Sequence, residues 1–123
     1  MSTMIPEDAQ SVIEHEILEQ LQALMEEDFP DLVRHFLSDA DTLIETMRAG
    51  IATHDVASVH RAAHSLKSSA ASFGAMTLSG LARRLEAQGR AGDLSGVDAL
   101  IAAMVEQLVR VRAVLESSIA DDP

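Results

Sequence analysis

The chain has 123 residues, 47% of them apolar, which suits one domain with one core and excludes global disorder. Aromatic residues make up 2% with no Trp or Tyr, and the formal net charge is -11; together these argue against a base-stacking surface, phosphate-backbone binding and adsorption to anionic membranes. The absence of Cys rules out disulfides and thiolate metal sites and fits a reducing, cytoplasmic setting.

The start, Met1 to Asp8, has neither a basic region nor a long apolar run, so it does not read as a signal peptide. No segment approaches the roughly 20 apolar residues of a membrane span. Residues 1–9 look frayed, with Pro6 near a possible helix start. Val12, Ile13, Ile17, Leu18, Leu21, Leu24 and Met25 then recur at helical spacing and predict a first helix over about 10–27. Asp28-Phe29-Pro30 is a restart signal, with Asp28 as the expected N-cap and Pro30 in the first turn.

The stripe Phe29, Leu32, Val33, Phe36, Leu37, Ala40, Leu43, Ile44 and Met47 predicts a second helix over about 29–49, ended by Gly50. Thr53-His54-Asp55 opens a third. Its stripe is Val56, Val59, Ala63, Leu66, Ala70 and Phe73, and Gly74 is read as the structural turn into the next helix. A fourth helix over about 76–88 uses Leu78, Leu81, Ala82 and Leu85. After a loop with three glycines, a fifth over about 96–118 uses Val97, Leu100, Ile101, Met104, Leu108, Val111 and Leu115. Asp121-Asp122-Pro123 reads as a solvated tail. Short connections between five amphipathic helices imply an all-α antiparallel bundle: one domain over 1–123, with a core at about 10–118 and flexible termini.

At about 100° per residue, His64 lies roughly 130° from the middle of the third helix's apolar stripe, and so faces solvent. Lys67 and Ser68 follow one turn later on the same side, and Ala71 continues the strip with almost no side chain. The charge around this strip is unusual. Residues Val59 to Gly92 carry five basic residues (Arg61, Lys67, Arg83, Arg84, Arg90) against the single acid Glu86, a net +4, while the rest carries four basic against nineteen acidic residues, a net -15. Such a basic island suits a phosphoryl group and an acidic partner surface. A neutral imidazole is a nucleophile able to accept phosphoryl from an acyl phosphate or from ATP, with Lys67 offsetting the charge of the transferring group. An exposed helical histidine is by itself unremarkable, however, and a docking adaptor that does not use His64 chemically is the alternative.

The run Ala63-His64-Ser65-Leu66-Lys67-Ser68-Ser69-Ala70-Ala71-Ser72-Phe73-Gly74-Ala75 resembles the signature of histidine-containing phosphotransfer (HPt) domains. That pattern has Lys three residues after the His, a small residue four after it and Gly ten after it, which are Lys67, Ser68 and Gly74 here. Asp28-Phe29-Pro30, Phe36-Leu37, Leu81, Leu85-Glu86 and Gly92-Asp93-Leu94 extend the resemblance over about residues 10–118. Many members have Gly where Ser68 stands. The resemblance implies an antiparallel four-helix bundle with an additional N-terminal helix, and a monomer in a phosphorelay. It implies that His64 Nε2 takes phosphoryl from an aspartyl phosphate on a response-regulator receiver, free or within a hybrid histidine kinase, and passes it to another receiver. The receiver supplies Mg²⁺, so this protein needs no cofactor of its own and is a carrier rather than an autonomous enzyme. His60, Arg61, Ser68, Ala71, Arg83 and Arg84 are the candidates for the docking surface.

Other constellations are weaker. His60 and His64 stand four apart, as a metal pair would, but lack a third ligand nearby in sequence. His15, His35 and His54 are isolated. Gly92 to Gly96 is no P-loop, and no ATP-binding segment is recognisable.

Overall fold

A computed structural model of the chain describes residues 12–120. The frayed start at residues 1–9, the possible helix start at Pro6, the first residues of the helix predicted from about 10 and the solvated tail at 121–123 lie outside the described residues. Among the described residues five α-helices follow one another: α1 (His15–Met25), α2 (Phe29–Ala52), α3 (Val56–Ser72), α4 (Met76–Ala91) and α5 (Val97–Ala120). The described residues contain no strand.

Helices α2 to α5 form the bundle. Each packs on the next in sequence, α5 closes back on α2, and the short connections make neighbours antiparallel; α1 lies against α2 and α3. The predicted stripes supply the core, except that Leu24 of α1 is exposed. Val33, Met47, Val59, Leu66, Leu78, Leu85, Met104, Val111 and Leu115 are all fully buried, and the Phe36 and Phe73 rings meet at 4.6 Å between centroids. Truncating one of the larger of these side chains to Ala costs about 2–5 kcal/mol. At the rim, Arg112 Nη2 on α5 donates to both carboxylate oxygens of Asp41 on α2, at 2.9 Å each.

Several boundaries differ from the sequence expectation, each for a local reason. α1 is shorter than predicted: Glu26 takes φ 50° and closes the helix, and Glu26–Asp28 form one turn of 3₁₀-helix. Asp28 is not an N-cap. It already has helical dihedrals and its side chain caps nothing, because the 3₁₀ turn runs straight into α2 with Pro30 in the first positions. Gly50 does not end α2, which continues to Ala52. A Cβ at this position would lie 2.7 Å from Val59 Cγ2, so Gly50 is there to let α3 approach. The turn falls instead at His54 (φ 58°), and Asp55 caps α3 by accepting the Ser58 N–H at 3.1 Å. α4 passes through Gly89 to Ala91, three residues beyond expectation, because Gly89 packs against the His60 backbone; a Cβ there would sit 3.2 Å from His60 Cα.

The turn between α3 and α4 fixes the register of the site. Gly74 has φ +80°, a conformation costly for any other residue, and a Cβ there would meet Glu14 O at 2.8 Å. Its own carbonyl accepts the Glu14 N–H at 2.8 Å, tying the segment before α1 to the turn. Farther along, the buried Ser79 hydroxyl of α4 donates to the Lys67 carbonyl of α3 at 2.9 Å. The α3–α4 pair is the most extensive helix pairing among the described residues.

Candidate functional site

The α3 stripe Val59, Ala63, Leu66 and Ala70 is buried, and this phase turns His64 outward, with 58% of its side chain exposed. Facing it, α4 buries Leu78, Ser79, Ala82, Leu85, Glu86 and Gly89. Position 86 therefore falls on the packed side of α4. Its carboxylate, with only 5% of the side chain exposed, lies beneath the α3 strip.

Glu86 organises the site. Its Oε2 lies 2.6 Å from His64 Nδ1, and its Oε1 accepts from Lys67 Nζ at 2.7 Å. Arg90 Nη2, one turn along α4, stands 3.8 Å from Oε2, and His60 Nε2 stands 4.0 Å from the same oxygen. A buried carboxylate without partners would be strongly disfavoured. Here the hydrogen bond from Lys67 and then that from His64 outweigh the opposing effect of burial, and hold the Glu86 carboxyl at about 2, against 4.5 ordinarily.

Two chemical consequences follow. A carboxylate can only accept, so the Nδ1 that faces it carries the hydrogen; the neutral ring then presents its Nε2 lone pair to solvent. Electrophilic attack at Nε2 makes the ring imidazolium-like, and the anion at Nδ1 stabilises that charge as it develops. The carboxylate thus leaves Nε2 as the nitrogen able to act as a nucleophile, and would support a positively charged ring.

The remaining sequence candidates divide by placement. Lys67 shares the His64 side, but its ammonium is engaged by Glu86 rather than standing free. Ser68 is exposed and Ala71 half-buried, leaving low relief beyond the imidazole. Arg61, Arg83 and Arg84 are exposed. Arg83 precedes Glu86 by one turn, whereas Arg84, two residues from it, points roughly 160° away around α4. His60 is half-buried beside His64, their rings nearly parallel with centroids 6.5 Å apart. Among the described residues, no group of three His, Asp or Glu side chains is placed to hold a metal ion.

Sequence reasoning gave Glu86 no role at the site, noting it only as the single acid of the basic island and as part of the wider resemblance, and did not bring Arg90 to the site. Two signals were present: a lone acid among five basic residues, and its fall on the same helical phase as Ala82 and Leu85.

Beside this strip, Leu21, Leu32, Phe36, Ser69, Ser72 and Phe73 help line an apolar groove of about 310 Å³ at the junction of α1, α2 and α3. A larger groove of about 420 Å³, between α2 and α5 near Arg48 and Ile101, contains no imidazole. Volume alone does not locate the chemistry.

A helical bundle that projects an accessible imidazole, backed by a carboxylate and an ammonium, is suited to carrying an electrophilic group. The Hpt domain family model matches residues 31–114, and the chain belongs to that family. Its fold is also that of the crystal structure of histidine-containing phosphotransfer protein B (HptB) from Pseudomonas aeruginosa PAO1, with TM-score 0.84 and 28% identity over 87% of this chain and 93% of that one. No curated protein matches the sequence. The protein accordingly has a histidine phosphotransfer role in a two-component phosphorelay. Among the described residues no helix is long and apolar enough to cross a membrane.

Proposed function

We propose that His64 is the phosphoryl acceptor and that the protein shuttles phosphoryl between the aspartates of two receiver domains. The observation that carries this reading is the bond between His64 Nδ1 and Glu86, which leaves Nε2 as the exposed nucleophile. In the uptake step, the Nε2 lone pair attacks phosphorus and a P–Nε2 bond forms. The P–O bond to the receiver's aspartate breaks, and the leaving carboxylate keeps its electron pair. No proton needs to move, since Nδ1–H stays on Glu86 throughout. The reverse sequence charges the next receiver.

Lys67 assists electrostatically, turning from Glu86 towards the phosphoryl oxygens. The receiver supplies Mg²⁺ and most of the catalytic groups, so this chain, which holds no recognisable ATP-binding segment, acts as a monomeric cytoplasmic carrier and not as an enzyme in its own right. The receiver covers His64, Ser68 and Ala71, with His60, Arg61 and Arg83 at the edge. Ser72, about 80° around α3 from His64, connects this strip to the apolar groove, which gives the partner a surface to bury.

The test is labelling by receivers charged with radioactive acetyl phosphate. The wild-type protein is expected to gain an acid-labile, base-stable phosphate. His64→Gln is expected to gain none while melting within a few degrees of wild type, because the ring is exposed. Undiminished labelling of His64→Gln overturns the assignment. Receiver binding without transfer by the wild type would establish the adaptor reading instead.

A further inference from the structure

One polar atom beside the site has no role in the scheme above. His60 Nε2 is fully enclosed, yet has no hydrogen-bond partner. Its nearest acidic atom is Glu86 Oε2 at 4.0 Å, the same oxygen that holds His64. A dry ring nitrogen without a partner is disfavoured unless some state of the protein uses it. Facing a carboxylate, Nε2 is better placed as a donor than as an acceptor, since two lone pairs would otherwise oppose each other. The His60 backbone is held closely, because Gly89 of α4 packs directly on it; a Cβ there would stand only 3.2 Å from His60 Cα. Only the side chain is left to cover the last ångström to the carboxylate.

Phosphorylation creates the need for such a donor. If Lys67 leaves Glu86 Oε1 for the phosphoryl oxygens, a carboxylate with 5% exposure loses its main cationic partner. Arg90 is the other cation nearby, but it is well exposed and hydrated at 3.8 Å. His60 Nε2 is already enclosed and already stands 4.0 Å from the same carboxylate.

We propose that His60 is a positioning residue that serves as a reserve donor, its Nε2–H replacing the Lys67 ammonium on Glu86 when Lys67 turns to phosphoryl on His64. This rests on the reading of His64 as acceptor. The effect is to stabilise the phosphorylated form relative to the unmodified one. The benefit is confined to that form, because in the unmodified protein the contact is open.

The experiment measures the equilibrium between the carrier and a phosphorylated receiver, for wild type, His60→Phe and His60→Gln. Phe keeps a ring and removes the donor; Gln returns an N–H at similar reach. A hydrogen bond to a charged group predicts a fall of about 10- to 150-fold in the phosphorylated fraction ratio for His60→Phe, restored by His60→Gln, with unmodified melting temperatures nearly equal. In the wild type, NMR is expected to show a hydrogen-bonded His60 Nε2–H only after phosphorylation, a readout that stands even if His60→Phe folds poorly. An unchanged ratio in His60→Phe, failure of His60→Gln to restore it, or a His60 signal that ignores phosphorylation each overturns the proposal. A wild type that takes no label overturns the acceptor reading itself, and this inference with it.

Discussion

Removing the Glu86 carboxylate is the most informative perturbation of the site. In Glu86→Ala, Nδ1–H loses its acceptor and the developing imidazolium loses its counter-charge. The contact is 2.6 Å long in the folded protein. With His64 more than half exposed, an effective dielectric of about 40–80 is appropriate, and Coulomb's law then gives about 2–3 kcal/mol for the charge interaction. Expressed in the transfer barrier, this is a loss of roughly 30–150-fold in phosphoryl uptake rate. Glu86→Gln keeps an acceptor for Nδ1–H without the charge, and should fall between Ala and wild type. Rapid-quench transfer from a phosphorylated receiver measures the rates, and ¹⁵N shifts of His64 report which ring nitrogen carries the hydrogen. The unmodified wild type should show hydrogen on Nδ1, and Glu86→Ala a mixture. A folded Glu86→Ala protein that transfers at the wild-type rate would show that the carboxylate does not take part.

Acid should weaken the same contact in a defined window. The Glu86 pKa is lowered on folding from 4.5 to about 2, so the stability it contributes is complete above about pH 4.5 and is lost as pH falls through about 2. The stability gap between wild type and Glu86→Gln, followed by urea titration, is therefore expected to narrow across that range; a gap that widens there contradicts the assignment. Lys67→Ala removes the largest cause of the lowered pKa, so NMR titration of the Glu86 carboxyl should show it rising, and phosphoryl transfer should slow without unfolding of the bundle. Gly74→Ala forces a side chain into a positive φ and against Glu14 O, and should cost about 1–3 kcal/mol in chemical denaturation. Wild-type stability in that variant would mean the turn can relax.

The helices were legible because their apolar residues recur at one period over long stretches. That periodicity gave the stripe through Leu66, and with it the outward direction of His64. It also contained the phase of Glu86 on α4, but charge counting treated that residue as a diluent of the basic island. A helix wheel places a residue on a face; it does not say that two faces meet. The contact of Glu86 with His64 and Lys67 depends on the α3–α4 crossing, across 19 to 22 residues of chain. The same limitation explains Gly50 and Gly89. Local rules make a glycine a helix terminator, while the approach of Val59 and of His60 makes each an interior contact. At Asp28 the cap residue type was right for a helix start, but the preceding 3₁₀ turn had already supplied the helical backbone.

The proposed acceptor ring is gripped at one nitrogen, from beneath, and nothing among the described residues encloses the other. On that proposal, a donor and a recipient dock against the same scaffold and find the same ring orientation. Such a carrier acts as a two-way valve without a ratchet. Net traffic through it is set by the relative free energies of the acyl phosphates at either end and by how much of each receiver is present, so reversing those inputs reverses the flow.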